Sequence, residues 1–131
     1  MAVTSTPIFV QTVQVSQDST ATANTARDGS GTISTLLTAG ANGSKVFTIV
    51  VNFEVTTTAG TIRLYVSDDA GSTWGMFEEI PVSAITVSAS QPAFRWEKSY
   101  DNLVLSATNG KIGFAPHNAE AVTVVGFYGD Y

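Results

Sequence analysis

The chain predicts an all-β protein, an antiparallel β-sandwich of about eight strands with a jelly-roll-like winding. Three observations carry this reading. Apolar and polar residues alternate over several short runs, the period of a strand with one buried face. Gly-bearing turn signals separate those runs at a spacing of about ten residues. No segment holds an apolar stripe of helical period beyond about two turns. A lipocalin-like barrel fits less well, because the runs are short and no long cavity-lining series occurs. Alternation alone leaves the strand topology open.

The first candidate strand carries Ile8, Val10, Val13 and Val15, with a slip of period between Val10 and Val13 that calls for a bulge. Residues 16–30 are almost wholly Ser, Thr, Ala, Asn, Gln, Asp and Gly. They read either as a surface loop or as an arm that orders on a neighbouring subunit, so that residues 1–30 would form an N-terminal arm plus first strand within one domain, 1–131. Residues 32–38 make a short strand with Ile33, Leu36 and Leu37. Asn42-Gly43 then signals a hairpin into the next strand.

Residues 44–73 organise the rest. Phe47, Ile49, Val51, Phe53 and Val55 alternate with Thr48, Asn52 and Glu54, with Val50 the one apolar interruption. After Thr56-Thr57-Thr58-Ala59-Gly60 the pattern repeats, with Ile62, Leu64 and Val66 expected inward and Thr61, Arg63 and Tyr65 outward. A hairpin joining the two runs is the expectation. Beyond it, Met76, Ile80 and Val82 form an inward row, and Pro81 marks an edge strand because it has no N–H to donate. Ile85 and Val87 lie in a loop or weak strand. Residues 93–100 alternate Phe94, Trp96, Lys98 and Tyr100 against Arg95, Glu97 and Ser99. Three runs, 103–105, 111–115 and 121–128, complete the chain.

Composition narrows the function classes. Only 13% of the 131 residues are charged and 44% are hydrophobic, which suits strands and subunit contacts. Eleven acidic residues against six basic ones give a net charge of -5. Nucleic-acid binding needs clustered cations, yet Arg27, Lys45, Arg63, Arg95, Lys98 and Lys111 are scattered. Arg95 and Lys98 are near neighbours, but their odd spacing puts them on opposite strand faces. No run reaches the length of a membrane span, and residues 1–4 lack the basic region and apolar run of a signal peptide. A cytosolic origin without Sec export is therefore expected, with neither membrane nor nucleic acid as partner.

Catalytic inventories fail. His117 is the single histidine and cysteine is absent, so neither a nucleophile–base pair nor a common zinc set can be assembled, and no Gly-x-Ser-x-Gly elbow exists. Glu78 and Glu79 are adjacent and hence on opposite strand faces, while Glu54, Glu97 and Asp101 carry no signature. The expectation is a non-enzyme without cofactor or metal. His117 reads as a polar turn residue. Trp74, Trp96, Tyr65 and Tyr100 would make a sugar-stacking platform if exposed together, and are otherwise core or subunit-interface residues.

One motif is specific. Ser67, Asp69, Gly71, Thr73 and Trp74 fit the S-x-D-x-G-x-T-W pattern and resemble the Asp-box of sialidases and other β-propellers. Physically it is a turn brace: the Asp69 carboxylate can take the loop's own N–H groups, Gly71 permits a left-handed residue, and Trp74 packs over the turn. A single copy cannot build a propeller. The neighbouring Asp68-Asp69 pair lacks the remaining ligands of a calcium loop.

Residues 24–31 (NTARDGSG), 38–44 (TAGANGS), 56–60 (TTTAG), 117–120 (HNAE) and 126–131 (GFYGDY) together resemble a family of small virion structural proteins of tailed bacteriophages, of the capsid decoration (cement) or head-fibre type. The Asp-box lies outside that resemblance. The resemblance implies a β-sandwich on the capsid surface of the virion, made in the host cytoplasm, with the major capsid protein as partner and a homotrimer as oligomer. It transfers no catalytic residue. A tail or fibre component and a carbohydrate-binding module are the competing expectations.

Overall fold

The computed structural model describes residues 9–131. Among the described residues eight strands are divided between two sheets: β1 (Thr12–Thr20), β2 (Ser34–Thr38), β3 (Ser44–Phe53), β4 (Gly60–Ser67), β5 (Gly75–Val82), β6 (Arg95–Leu105), β7 (Lys111–Pro116) and β8 (Val122–Asp130). The sheets run β1-β8-β3-β6 and β2-β7-β4-β5. Strands pair antiparallel as β1 with β8, β2 with β7, β3 with β6 and β4 with β5. That nested pairing is one long hairpin of four strand pairs rolled into a sandwich, the jelly roll. No helix occurs among the described residues.

The core lies between the sheets. Val46, Ile49, Val51, Val122 and Val124 from the first meet Leu37, Ile62, Leu64, Ile112 and Phe114 from the second. Phe94, Trp96, Tyr100 and Leu103 of the β6 side close one flank. There Lys98 Nζ bonds Glu78 Oε1 at 2.6 Å, joining the edge strands of the two sheets. Pro81 lies on β5, an edge strand as expected.

Several sequence expectations change. The 44–73 stretch is not a hairpin: β3 and β4 belong to opposite sheets and face each other across the core. The Asn42-Gly43 turn likewise carries the chain from one sheet to the other, with Gly43 at φ 89°. Turn chemistry sets a local reversal, but the choice of pairing partner follows from burying both apolar faces at once. The one tight hairpin between pairing neighbours is β4–β5, at the Asp-box. Near Phe47 a bulge between Val46 and Thr48 turns Val46 rather than Phe47 fully inward. A register shift opposite Leu64 and Tyr65 leaves Met76 39% exposed and sets Phe77 against the core instead. Val55 lies beyond β3 and is exposed. Residues 103–105 continue β6 rather than forming a separate strand.

The N-terminal reading changes most. The register of β1 on β8 runs without a slip from Thr12 to Thr20, so this strand has no bulge. It includes residues 16–20, which the composition placed in the loop or arm. Val13 and Val15 are not core residues: they stand 76% and 61% exposed on the outer face. Ile8 lies outside the described residues.

Candidate interaction surface

The two outer faces of the sandwich are built differently. That of β2-β7-β4-β5 is covered by the protein's own chain, through residues 21–33. Asn24, 6% exposed, is the hub of this covering loop. Its amide donates to the carbonyls of Ser30 and Thr32 at 2.9 and 3.0 Å, and its Oδ1 accepts from the Ala26 N–H at 3.0 Å. Its backbone N–H donates to the Pro116 carbonyl at 2.8 Å. Gly31, at φ 78°, stands against the Asn24 amide, where a Cβ would come within 2.6 Å of Oδ1.

Beneath this loop, Arg63 and Tyr65 are completely buried, although the alternation placed both in solvent. Arg63 Nε bonds Glu79 Oε2 at 2.8 Å and Nη1 donates to the Asn24 carbonyl at 2.9 Å. Nη2 lies 3.0 Å from His117 Nδ1. A guanidinium can only donate, so Nδ1 accepts and the ring hydrogen sits on Nε2. Arg27 adds a second bond to Glu79 Oε2 at 2.7 Å. The bonds from Arg27 and Arg63 hold the Glu79 carboxyl below its ordinary value. Burial pushes the Tyr65 phenol up, and its hydroxyl donates to the Ala26 carbonyl at 3.2 Å. His117 is thus tied to a buried arginine rather than being a turn residue held by backbone alone.

The outer face of β1-β8-β3-β6 has no such cover among the described residues. Its register brings Val15, Phe127 and Thr48 into one row, and Gln17, Val125, Val50 and Glu97 into the next. Val104, on the same side, is 56% exposed and Phe127 is 41% exposed. Val10 lies over Gly129, whose missing side chain leaves room for it. A depression of about 480 Å³ opens between Val50, Val125 and Phe127, bordered by Arg95 and Glu97. An apolar patch rimmed by polar groups is the usual mark of a contact surface. Sequence reading missed it because Val13 and Val15 look like any inward row. Only the pairing register shows that their face is the outer one.

At the far end of β4, the Asp-box residues converge. Asp69 Oδ1 accepts from the Thr73 N–H at 2.9 Å and from Ser67 Oγ at 2.7 Å, and Oδ2 accepts from Thr73 Oγ1 at 2.6 Å. Ser67 Oγ accepts from the Gly71 N–H at 2.9 Å. Ala70 at φ 60° and Gly71 at φ 88° form a left-handed pair, one residue more than the pattern required. The Trp74 indole lies between Gly71 and Gly113. A depression of about 490 Å³ borders the turn at Asp68, Thr73 and Trp74. No group of three metal-capable side chains converges among the described residues.

The Thr73 and Ser67 bonds lower the Asp69 carboxyl from 3.8 to about 2. A value depressed on folding stabilises the fold above the unfolded value and loses that contribution as pH falls through the folded one. The share from Asp69 should therefore be complete above about pH 4 and vanish towards pH 2. Asp69→Ala should lower the melting temperature by several degrees at pH 7 and by much less near pH 2. Asp68→Ala, at an exposed position, should change neither. Equal melting temperatures for the two variants would refute the brace.

The aromatic platform does not form. Tyr65 is buried under the loop, Trp96 and Tyr100 pack against the core, and Trp74 lies on the Asp-box turn.

No family model matches the chain, and no characterised protein matches it. Among solved structures, one described as the crystal structure of the T13 IBDV viral particle aligns over 99% of this chain and 40% of that chain, with 11% identity and a TM-score of 0.29. The chain spans less than half of that protein, and a TM-score so low leaves the jelly-roll assignment resting on the strand pairing itself.

Proposed function

We propose that this chain is a non-enzymatic structural protein of a tailed-phage virion, a capsid decoration protein that binds between capsomers, with the major capsid protein as partner and a homotrimer as its assembled form. The observation that carries the proposal is the asymmetry of the sandwich. Residues 21–33 cover one outer face over Arg63 and Tyr65, leaving Met76 partly exposed on its edge strand, while the other face exposes Val13, Val15, Val104 and Phe127 around a shallow depression. Leaving apolar area in water is unfavourable by roughly 25 cal/mol per Å², so a lasting partner for that face is the economical solution. Many copies on a repeating lattice make weak single contacts strong together. The sequence resemblance to phage decoration proteins points the same way.

Two measurements test this. Quantitative mass spectrometry of purified virions should find a copy number comparable to that of the major capsid protein. A handful of copies would instead assign the chain to the tail or a fibre. The double variant Val15→Lys, Phe127→Asp, an opposite-charge pair across β1 and β8, should fold with at most a few degrees' loss of melting temperature, because both positions are solvent-facing, yet lose capsid binding by at least about a hundredfold. Undiminished binding would remove this face from the interface.

A further inference from the structure

The covering loop leaves a third, smaller depression of about 270 Å³, lined by Arg27, Ala59, Gly60, Thr61, His117 and Asn118. Its polar groups are mostly donors. Arg27 uses Nε for Glu79, and among the described residues its two Nη groups have no partner. His117 presents Nε2–H as a donor, because Arg63 occupies Nδ1. The Thr61 hydroxyl, buried beneath the lining, has no partner among the described residues. Behind the depression, two arginines are bonded to a single carboxylate, that of Glu79, while the neighbouring Asp28 and Glu120 carboxylates are bonded to Ser30 and Thr58 instead.

We infer that this depression is a carboxylate-binding site, and that it takes an acidic side chain, Asp or Glu, of a partner protein. A guanidinium fork beside an imidazole N–H suits the two oxygens of a carboxylate. The volume accommodates one side chain. No Phe, Tyr or Trp ring lines the site, so it lacks the broad stacking surface on which sugars rest. Arg63 is a positioning residue: completely buried, it orients the His117 ring and does not reach the ligand itself. The site lies by the covering loop, apart from the apolar face of the other sheet. It stands or falls independently of the virion reading, since it is measured on the isolated chain.

The test is a titration of the full chain, followed by amide and imidazole NMR shifts, with three probes: N-acetylglutamate amide, its neutral analogue N-acetylglutamine amide, and N-acetylneuraminic acid. The glutamate probe should give saturable shifts at Gly60, Asn118 and the His117 ring, and bind about tenfold or more tightly than the glutamine probe. Arg27→Gln, at an exposed position, should lose a similar factor while keeping its melting temperature. Absence of saturable shifts, or equal binding of the charged and neutral probes, would overturn the site. Tighter binding of the acidic sugar than of the glutamate probe would overturn the assignment to a protein side chain.

Discussion

Arg63→Met should lower the melting temperature by roughly 10 °C, a loss of about 3 kcal/mol. The substitution roughly preserves volume, so the cost comes from groups left behind. The Asn24 carbonyl and His117 Nδ1 lose their donor beneath a loop that admits little water, and Glu79 keeps only Arg27. Arg63→Lys should recover little, because one ammonium cannot reach three acceptors in different directions. Arg27→Gln is the control: that side chain is 60% exposed, and its loss should move the melting temperature by no more than roughly 2 °C. Thermal denaturation of the three variants side by side decides the matter. An Arg63→Met protein within roughly 2 °C of wild type would mean that the buried network adds nothing to stability.

Gly29→Ala should be comparably damaging, at about 3 kcal/mol. Gly29 sits at φ 86°, and a Cβ there would stand 2.2 Å from the Trp74 carbonyl oxygen. Both partners are backbone, so no side chain can swing aside. Either the covering loop lifts from the Asp-box hairpin or the hairpin shifts. Gly71→Ala provides the comparison. Its φ of 88° is nearly the same, but its Cβ would meet only side chains at ordinary contact distance, the Trp74 ring at 3.4 Å and Lys111 Cδ at 3.7 Å. It should cost about 1–2 kcal/mol, the backbone penalty alone. Hydrogen exchange should also quicken at the Asn24 amide in Gly29→Ala and stay slow in Gly71→Ala. If both glycine variants melt together, the close approach of loop and hairpin is not a constraint.

These two positions explain why residues 16–30 were hard to read from composition. A segment without large apolar side chains gains little by collapsing onto itself, which is why a loop or a docking arm was expected. The structure orders it by other means. Residues 16–20 pair with β8, and the rest is held by Asn24, by the left-handed Gly29 and Gly31, and by the buried Arg63. These are polar and glycine contacts, some within the loop and some to Pro116, Arg63 and Trp74 far along the chain, and such contacts leave no periodic trace.

The sequence by itself determined the fold class, the number of strands, the edge position of Pro81 and the residues of the Asp-box turn. These follow from alternation with period two, from a missing N–H, and from hydrogen bonds between residues at most four apart, all properties of a short window. Tertiary structure alone decided which strands pair, that 44–73 bridges two sheets, that Arg63 and Tyr65 are buried, and that Val13, Val15 and Phe127 face outward. The physical reason is the same in each case. Alternation states that a strand has two different faces, but which face meets the core, and whether the other is later covered by its own chain, depends on partners 39 to 118 residues away.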